Sequence, residues 1–171
     1  MADFDIEKDV REALDLYGDS VLRLAYSYLH NLQEAEDMLQ ETMIKYVTSR
    51  PVFESESHRK AWLLRVAANL SKNRIEYNRV RDCDEITENT ESAVPAEPVE
   101  PADSPYSGIW EAVKKLPPSQ REAVHLFYQE GYSTAEIARI TERKESTVRS
   151  DLRRARLGLK KILSKEADNL E

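Results

Sequence analysis

The sequence predicts an all-α chain: two small helical domains joined by a flexible acidic, proline-containing linker. Three observations carry that prediction. Only 4 of the 171 residues are glycine and 33% are charged, with Leu, Ala, Glu, Arg and Lys abundant, a composition that favours helix. Apolar residues on either side of the middle recur at helical spacing. The middle itself, Asp82 to Pro105, holds eight acidic residues, no Lys or Arg, and four of the seven prolines: Pro95, Pro98, Pro101 and Pro105. Proline breaks helices and like charges repel, so this stretch reads as an extended, mobile tether. The expected boundaries are a helical domain over 1–81, a linker over 82–105 and a second helical domain over 106–171.

In the first domain, residues 5–17 and 19–30 read as helical, with Gly18 a break or a close-packing point. Asn31, with Glu34 three residues later, starts the second helix. There Ala35, Met38, Leu39, Met43 and Tyr46 share one arc and form its core face. The opposite arc carries Asp37, Gln40, Glu41 and Thr48 around Ile44. An apolar centre with a polar rim fits a small protein-docking surface; a stray apolar residue on a solvated face fits the same pattern. Arg50-Pro51 ends this helix. A polar loop, Glu54 to His58, leads into a third helix over about 57–81. Its expected core arc is Trp62, Leu63, Val66, Ala67, Leu70 and Tyr77, and its outer arc is Arg65, Lys72 and Arg79 beside the small Ala61 and Ala68. Small residues among cations let a phosphate backbone approach. Asn69 borders the stripe and Asn73 lies nearer the core edge. A cationic face of this kind also serves plain solubility.

The second domain carries the more specific pattern. Pro117, Pro118, Ser119 and Glu122 start a helix whose core includes Ala123, Val124, Phe127 and Tyr128. Gly131 suits the left-handed position that stops it. Ser133 and Glu136 form a second capping box, opening a short helix with Ile137, Ala138 and Ile140 inside. After a turn from Thr141 to Lys144, the last helix buries Val148, Leu152, Ala155, Leu159 and Ile162. Short helix, tight turn and long cationic helix make a helix-turn-helix pattern. The major groove admits one helix, whose N-terminal residues meet base edges. Glu145, Ser146, Thr147, Arg149, Ser150 and Arg153 occupy that reading end, while Arg154, Arg156, Lys160 and Lys161 suit phosphates. An amphipathic helical hairpin with a basic solvent face is the plainer alternative.

Charge segregation matters more than the total of −7. Residues 59–81 hold seven basic residues and one acid, and residues 139–165 ten basic residues and three acids. Local fields decide binding, because salt screens charges beyond about 10 Å. No apolar run is long enough to span a bilayer, so no membrane insertion is expected, and the acidic first residues do not resemble a signal peptide. Cys83 is the only cysteine, which suits a reducing cytoplasm. His30, His58 and His125 show no metal-ligand spacing with it, and no nucleophile–base pair or nucleotide loop is visible. No catalytic residue, metal or cofactor is therefore expected.

At Ala35 to Met43, this chain resembles the core-polymerase-binding segment of region 2 in sigma-70 family sigma factors. Trp62 to Asn69 is similar to the promoter-melting helix of the same region. Leu116 to Leu163 resembles region 4, through Glu136-Ile137-Ala138, Ser146-Thr147-Val148-Arg149-Ser150 and Leu152-Arg153-Arg154-Ala155-Arg156. Two such regions with only a linker between them resemble the small extracytoplasmic-function (group IV) class. Where the family often has Gly and a small apolar residue in the helix-turn-helix turn, this chain has Glu142 and Arg143.

The resemblance implies a promoter-specificity subunit that binds core RNA polymerase and directs promoter recognition and melting. It implies a polymerase-binding face at Asp37, Gln40, Glu41 and Ile44. It places Ser57, His58, Arg59, Lys60, Arg65, Asn69, Lys72, Asn73 and Arg74 at the −10 element, and Ser146, Thr147, Arg149, Ser150, Arg153, Arg154 and Arg156 at the −35 element. It further implies promoter DNA and an anti-sigma factor as partners and the bacterial cytoplasm as location. The alternative is a helix-turn-helix regulator that does not act as a polymerase subunit.

Overall fold

The computed structural model describes residues 2–85 and 107–169, and every regular element in them is helical. The chain divides into two compact units, within Met1–Ala96 and Glu97–Glu171. The expected linker falls largely on residues 86–106, which lie outside the described residues.

The first unit packs three helices against one another: α1 (Ala2–Leu29), α2 (Leu32–Ser49) and α3 (Glu56–Glu85). Helix α1 runs unbroken through Gly18, which is buried. A Cβ there would lie 3.2 Å from Leu14 Cδ1, so Gly18 is a tight packing point and the expected break does not occur. Asn31 caps α2, its side chain accepting from the Glu34 N–H at 3.0 Å, as the sequence predicts. Arg50, at φ 45°, ends α2 with its N–H on the Tyr46 carbonyl at 3.1 Å, and Pro51 prevents continuation. The core draws on Leu24 and Ala25 of α1, Ala35, Met38 and Tyr46 of α2, and Leu63 and Ala67 of α3. Thr42 is also fully buried, because its hydroxyl donates to the Met38 carbonyl at 2.6 Å and leaves no unmet polar group.

Helix α3 corrects two expectations. It runs to Glu85, so the first four residues assigned to the linker are helical. Its buried face is also rotated from the expected arc. Leu64, Ala68 and Ser71 are fully buried beside Leu63 and Ala67, whereas Tyr77 is 62% exposed. Ala68 therefore belongs to the core, and Asn73, expected near the core edge, is exposed.

In the second unit, α4 (Ser107–Lys114), α5 (Pro118–Val124) and α6 (Thr134–Thr141) are all packed on α7 (Glu145–Asp168). Helix α5 passes directly into one π-helical turn, His125–Gln129. A π turn admits an extra residue and rotates the side chains beyond it relative to a plain α-helix. Leu126 and His125 accordingly fill the core while Tyr128, expected inside, is 57% exposed. Gly131 takes φ 75°, the left-handed conformation predicted for it. The capping box is complete: the Glu136 N–H donates to Ser133 Oγ at 3.2 Å, and the Ser133 N–H donates to Glu136 Oε2 at 2.8 Å. The bond from the Ser133 N–H first, and the Ser133 hydroxyl beside the carboxylate second, hold the Glu136 carboxyl below the usual range. Val148, Leu152 and Ala155 bury one arc of α7, as its periodicity predicts.

Candidate nucleic-acid interface

On α2, the arc opposite the core presents Ile44 at 60% exposure, with Gln40 and Thr48 exposed and Asp37 and Glu41 partly buried. The apolar centre and acidic rim expected from the sequence are thus brought together. Glu41 is not wholly free: Arg74 Nη2 of α3 lies 3.5 Å from its Oε1, and Arg74 Nη1 lies 3.9 Å from Glu34 Oε1. Asn78 Nδ2 donates to the same Glu34 carboxylate at 3.0 Å. Arg74, expected near melted DNA, is instead partly buried and ties α3 to α2.

The loop between α2 and α3 is built on aromatic rings. Phe53 stacks on Tyr46 with ring centres 5.9 Å apart and planes 13° from parallel. His58 and Trp62 meet Phe53 edge-on at 5.4 and 6.0 Å. Ser55 caps α3 by accepting from the His58 N–H at 3.1 Å, and His58 Nδ1 accepts from the Glu54 N–H at 3.4 Å. Ser57 and His58 are exposed at the start of α3, on this packed base.

Arg59 corrects the sequence reading. Its side chain is only 5% exposed and faces the bundle. Nη2 donates to Asp9 Oδ1 at 2.8 Å and to the Asp9 carbonyl at 2.7 Å, and Nε donates to Tyr46 Oη at 3.1 Å. Tyr46 in turn donates to Asp9 Oδ2 at 2.6 Å. Burial first, and this bond to Asp9 second, push the Tyr46 hydroxyl up to about 12. Arg59 is a strut joining all three helices.

Further along α3, Arg65 and Lys72 are partly buried and engaged with neighbouring groups, and Arg79 is exposed but bonded to Glu76, with Nη2 2.6 Å from Oε1. The expected unbroken cationic stripe is therefore a graded edge. Asn69 and Asn73 are exposed on this side, with Lys60 partly buried at the start of the helix.

On α7 the polar and cationic side chains share one outer face. Ser146, Thr147, Arg149, Ser150, Arg153, Arg154 and Arg156 are all exposed, opposite the buried Val148, Leu152 and Ala155. Arg149 is steadied by Glu145, Nη2 to Oε1 2.6 Å, and Glu145 also accepts from Thr134 Oγ1 of α6 at 2.8 Å. Arg156 donates from Nε to Tyr128 Oη at 2.8 Å and lies 5.9 Å from the ring centres of Phe127 and Tyr128. That aromatic clasp was illegible in the sequence because the π turn places Tyr128 outside. The turn before α7 holds Glu142 at φ 54°, where glycine would be unstrained.

Among the described residues, no three His, Cys, Asp or Glu side chains come together as metal ligands, and no helix is long and apolar enough to cross a membrane.

Comparison with known proteins agrees with this arrangement. Residues 14–81 match Sigma-70 region 2, and residues 107–159 match Sigma-70, region 4, together more than half of the chain. This chain belongs to the sigma-70 family of RNA polymerase sigma factors, in the extracytoplasmic-function class, and is a promoter-specificity subunit of RNA polymerase. It is 31% identical over 163 residues to the ECF RNA polymerase sigma factor SigW of Bacillus subtilis, covering 89% of this chain and 87% of that protein. It is 29% identical over 173 residues to the RNA polymerase sigma-H factor of Pseudomonas aeruginosa, covering 92% and 90%. In fold it resembles the sigma factor RpoE, solved with the anti-sigma factor NepR from Bartonella quintana, with a TM-score of 0.74, 27% identity, and 92% of this chain and 98% of that one covered. The match to region 2 sets aside a helix-turn-helix regulator working apart from polymerase.

Proposed function

We propose that the two units divide the work of initiation: the first docks on core RNA polymerase and holds the melted −10 strand, and the second reads the −35 duplex. The observation that carries this is the sidedness of α7, where seven polar or cationic side chains from Ser146 to Arg156 stand exposed opposite a closed apolar seam. Of these, Arg153 and Arg154 suit phosphate and base edges directly, while Arg149 and Arg156 are pre-oriented by Glu145 and Tyr128. On α2, Ile44 with Gln40, Asp37 and Glu41 forms the polymerase contact.

The −10 strand meets the loop and the outer edge of α3, through Ser57, His58, Lys60, Arg65, Asn69, Lys72 and Asn73. Extruding a base costs a few kcal/mol, and a loop already fixed by Phe53, Tyr46 and Trp62 does not add its own ordering cost. Arg59 and Arg74 support this surface from behind. Bond making and breaking belong to the polymerase, and the protein works in the bacterial cytoplasm. An anti-sigma factor is the natural antagonist, since RpoE, similar in fold, was solved with NepR.

Run-off transcription with core enzyme tests the scheme. Ile44→Glu should abolish all promoter-dependent product, while Arg153→Ala should spare transcription from a pre-melted template lacking a −35 element. Equal loss on both templates with Arg153→Ala would refute the division of labour.

A further inference from the structure

The helix-turn-helix turn carries a charge that a tight connection does not need. Arg143 follows Glu142, and its backbone N–H closes the turn on the Ala138 carbonyl at 3.0 Å. Its guanidinium points inward. Nε donates to Thr141 Oγ1, at the end of α6, at 3.2 Å. Nη1 bonds Asp151 Oδ2 on α7, and Nη2 lies 3.1 Å from Glu122 Oε2 on α5. The Glu122 side chain is fully buried and that of Asp151 is 8% exposed. One guanidinium thus hydrogen-bonds Thr141 of α6 and Asp151 of α7 and forms an ion pair, without hydrogen-bond geometry, with Glu122 of α5.

Such a group differs from a surface ion pair in two ways. Buried carboxylates demand a fixed positive charge, and the guanidinium fork supplies it in fixed directions. Asp151 also sits on the inward arc of α7, among Val148, Leu152 and Ala155, whereas its neighbours Arg149, Ser150, Arg153 and Arg154 are exposed. Holding Asp151 thus holds the rotation of α7 about its own axis. Side-chain tips lie about 6 Å from a helix axis, so a turn of about 20° displaces them by about 2 Å. Hydrogen bonds to base edges do not survive that displacement.

We propose that Arg143 is a positioning residue that sets the rotation of α7, and through it the base preference of the promoter-reading face. This rests on the reading of Ser146 to Arg156 as the −35 contact. Arg143 itself touches no DNA in this scheme.

Holoenzyme made from the full chain and core polymerase, offered short duplexes randomised at ten central positions, tests the idea when the bound fraction is sequenced. Wild type should enrich one motif. Arg143→Lys keeps the charge but loses the fork. It should bind the unselected duplexes within twofold of wild type at equal salt, yet prefer the motif over its single-base variants about tenfold less. Arg143→Met should do the same where it folds, and Arg143→Lys decides the matter where it does not. The proposal is overturned if Arg143→Lys enriches the wild-type motif equally well. It is also overturned if motif and unselected binding fall in parallel, because Arg143 would then serve folding alone. If wild type enriches nothing, the −35 reading fails first.

Discussion

Replacing Arg59 with methionine separates a strut from a DNA contact. The guanidinium makes three hydrogen bonds of 2.7 to 3.1 Å, two to Asp9 and one to Tyr46, besides longer bonds of 3.4 Å from Nη1 to the Glu56 carboxylate and an ion pair of 3.8 Å with Glu12. Bonds of this charged kind are worth about 1.5–3 kcal/mol each in full burial. Here the partners are half open to water: the Asp9 side chain is 48% exposed, and those of Glu12 and Glu56 more so. Water replaces much of what they lose, so the sum is strongly discounted. Methionine also keeps most of the apolar stem's packing. The expected loss is about 2 kcal/mol, which lowers the melting temperature of a unit this size by roughly 8–16 °C. Scanning calorimetry of the full chain measures it, and single-stranded −10 binding below the transition should stay within twofold of wild type. An unchanged melting temperature with a tenfold loss of single-strand binding would refute this account and return Arg59 to the DNA surface.

The Tyr46 hydroxyl, held at about 12 against an ordinary 10, keeps its proton more tightly in the folded state. Its contribution is therefore complete below pH 10 and is lost as pH rises from 10 to 12, up to about 3 kcal/mol; denaturant titrations should show this decline in wild type and a shallower one in Tyr46→Phe. Ile44→Ala removes an exposed side chain, so the melting temperature should hold within about 2 °C while affinity for core polymerase, by fluorescence anisotropy, falls about tenfold. Arg153→Ala should reduce the log–log salt dependence of duplex binding by about one. Ser133→Ala deletes half of a complete capping box and should cost about 1 kcal/mol in the second unit, read by thermal melting.

Helix content and most of the α7 face were legible because each rests on local chemistry. Asn31, Gly131 and the Ser133–Glu136 pair state their backbone roles within four residues. Likewise, Val148, Leu152 and Ala155 keep one arc on a helix whose other faces are charged. On α3 the same method missed the axis. Trp62, Leu63, Leu64, Val66, Ala67 and Ala68 place apolar groups nearly all round, and the exposed Tyr77 drew the arc the wrong way. Only the packing of α1 and α2 selects the buried side. Tyr128 was misplaced because one π turn breaks the 3.6-residue count. The inward pairing of Arg59 is illegible because its anchor, Asp9, lies 50 residues away, and no periodicity reports such a pairing.

Under the proposed −35 reading of α7, the clasp of Tyr128 and Phe127 on Arg156 bears on how long this protein stays on a promoter. A free arginine samples many rotamers and must abandon them at the moment of contact. Arg156 has already surrendered that freedom during folding, so its charge stands at one place on the surface before any encounter. Loosening it with Tyr128→Leu should leave an equally charged protein whose complexes dissociate sooner.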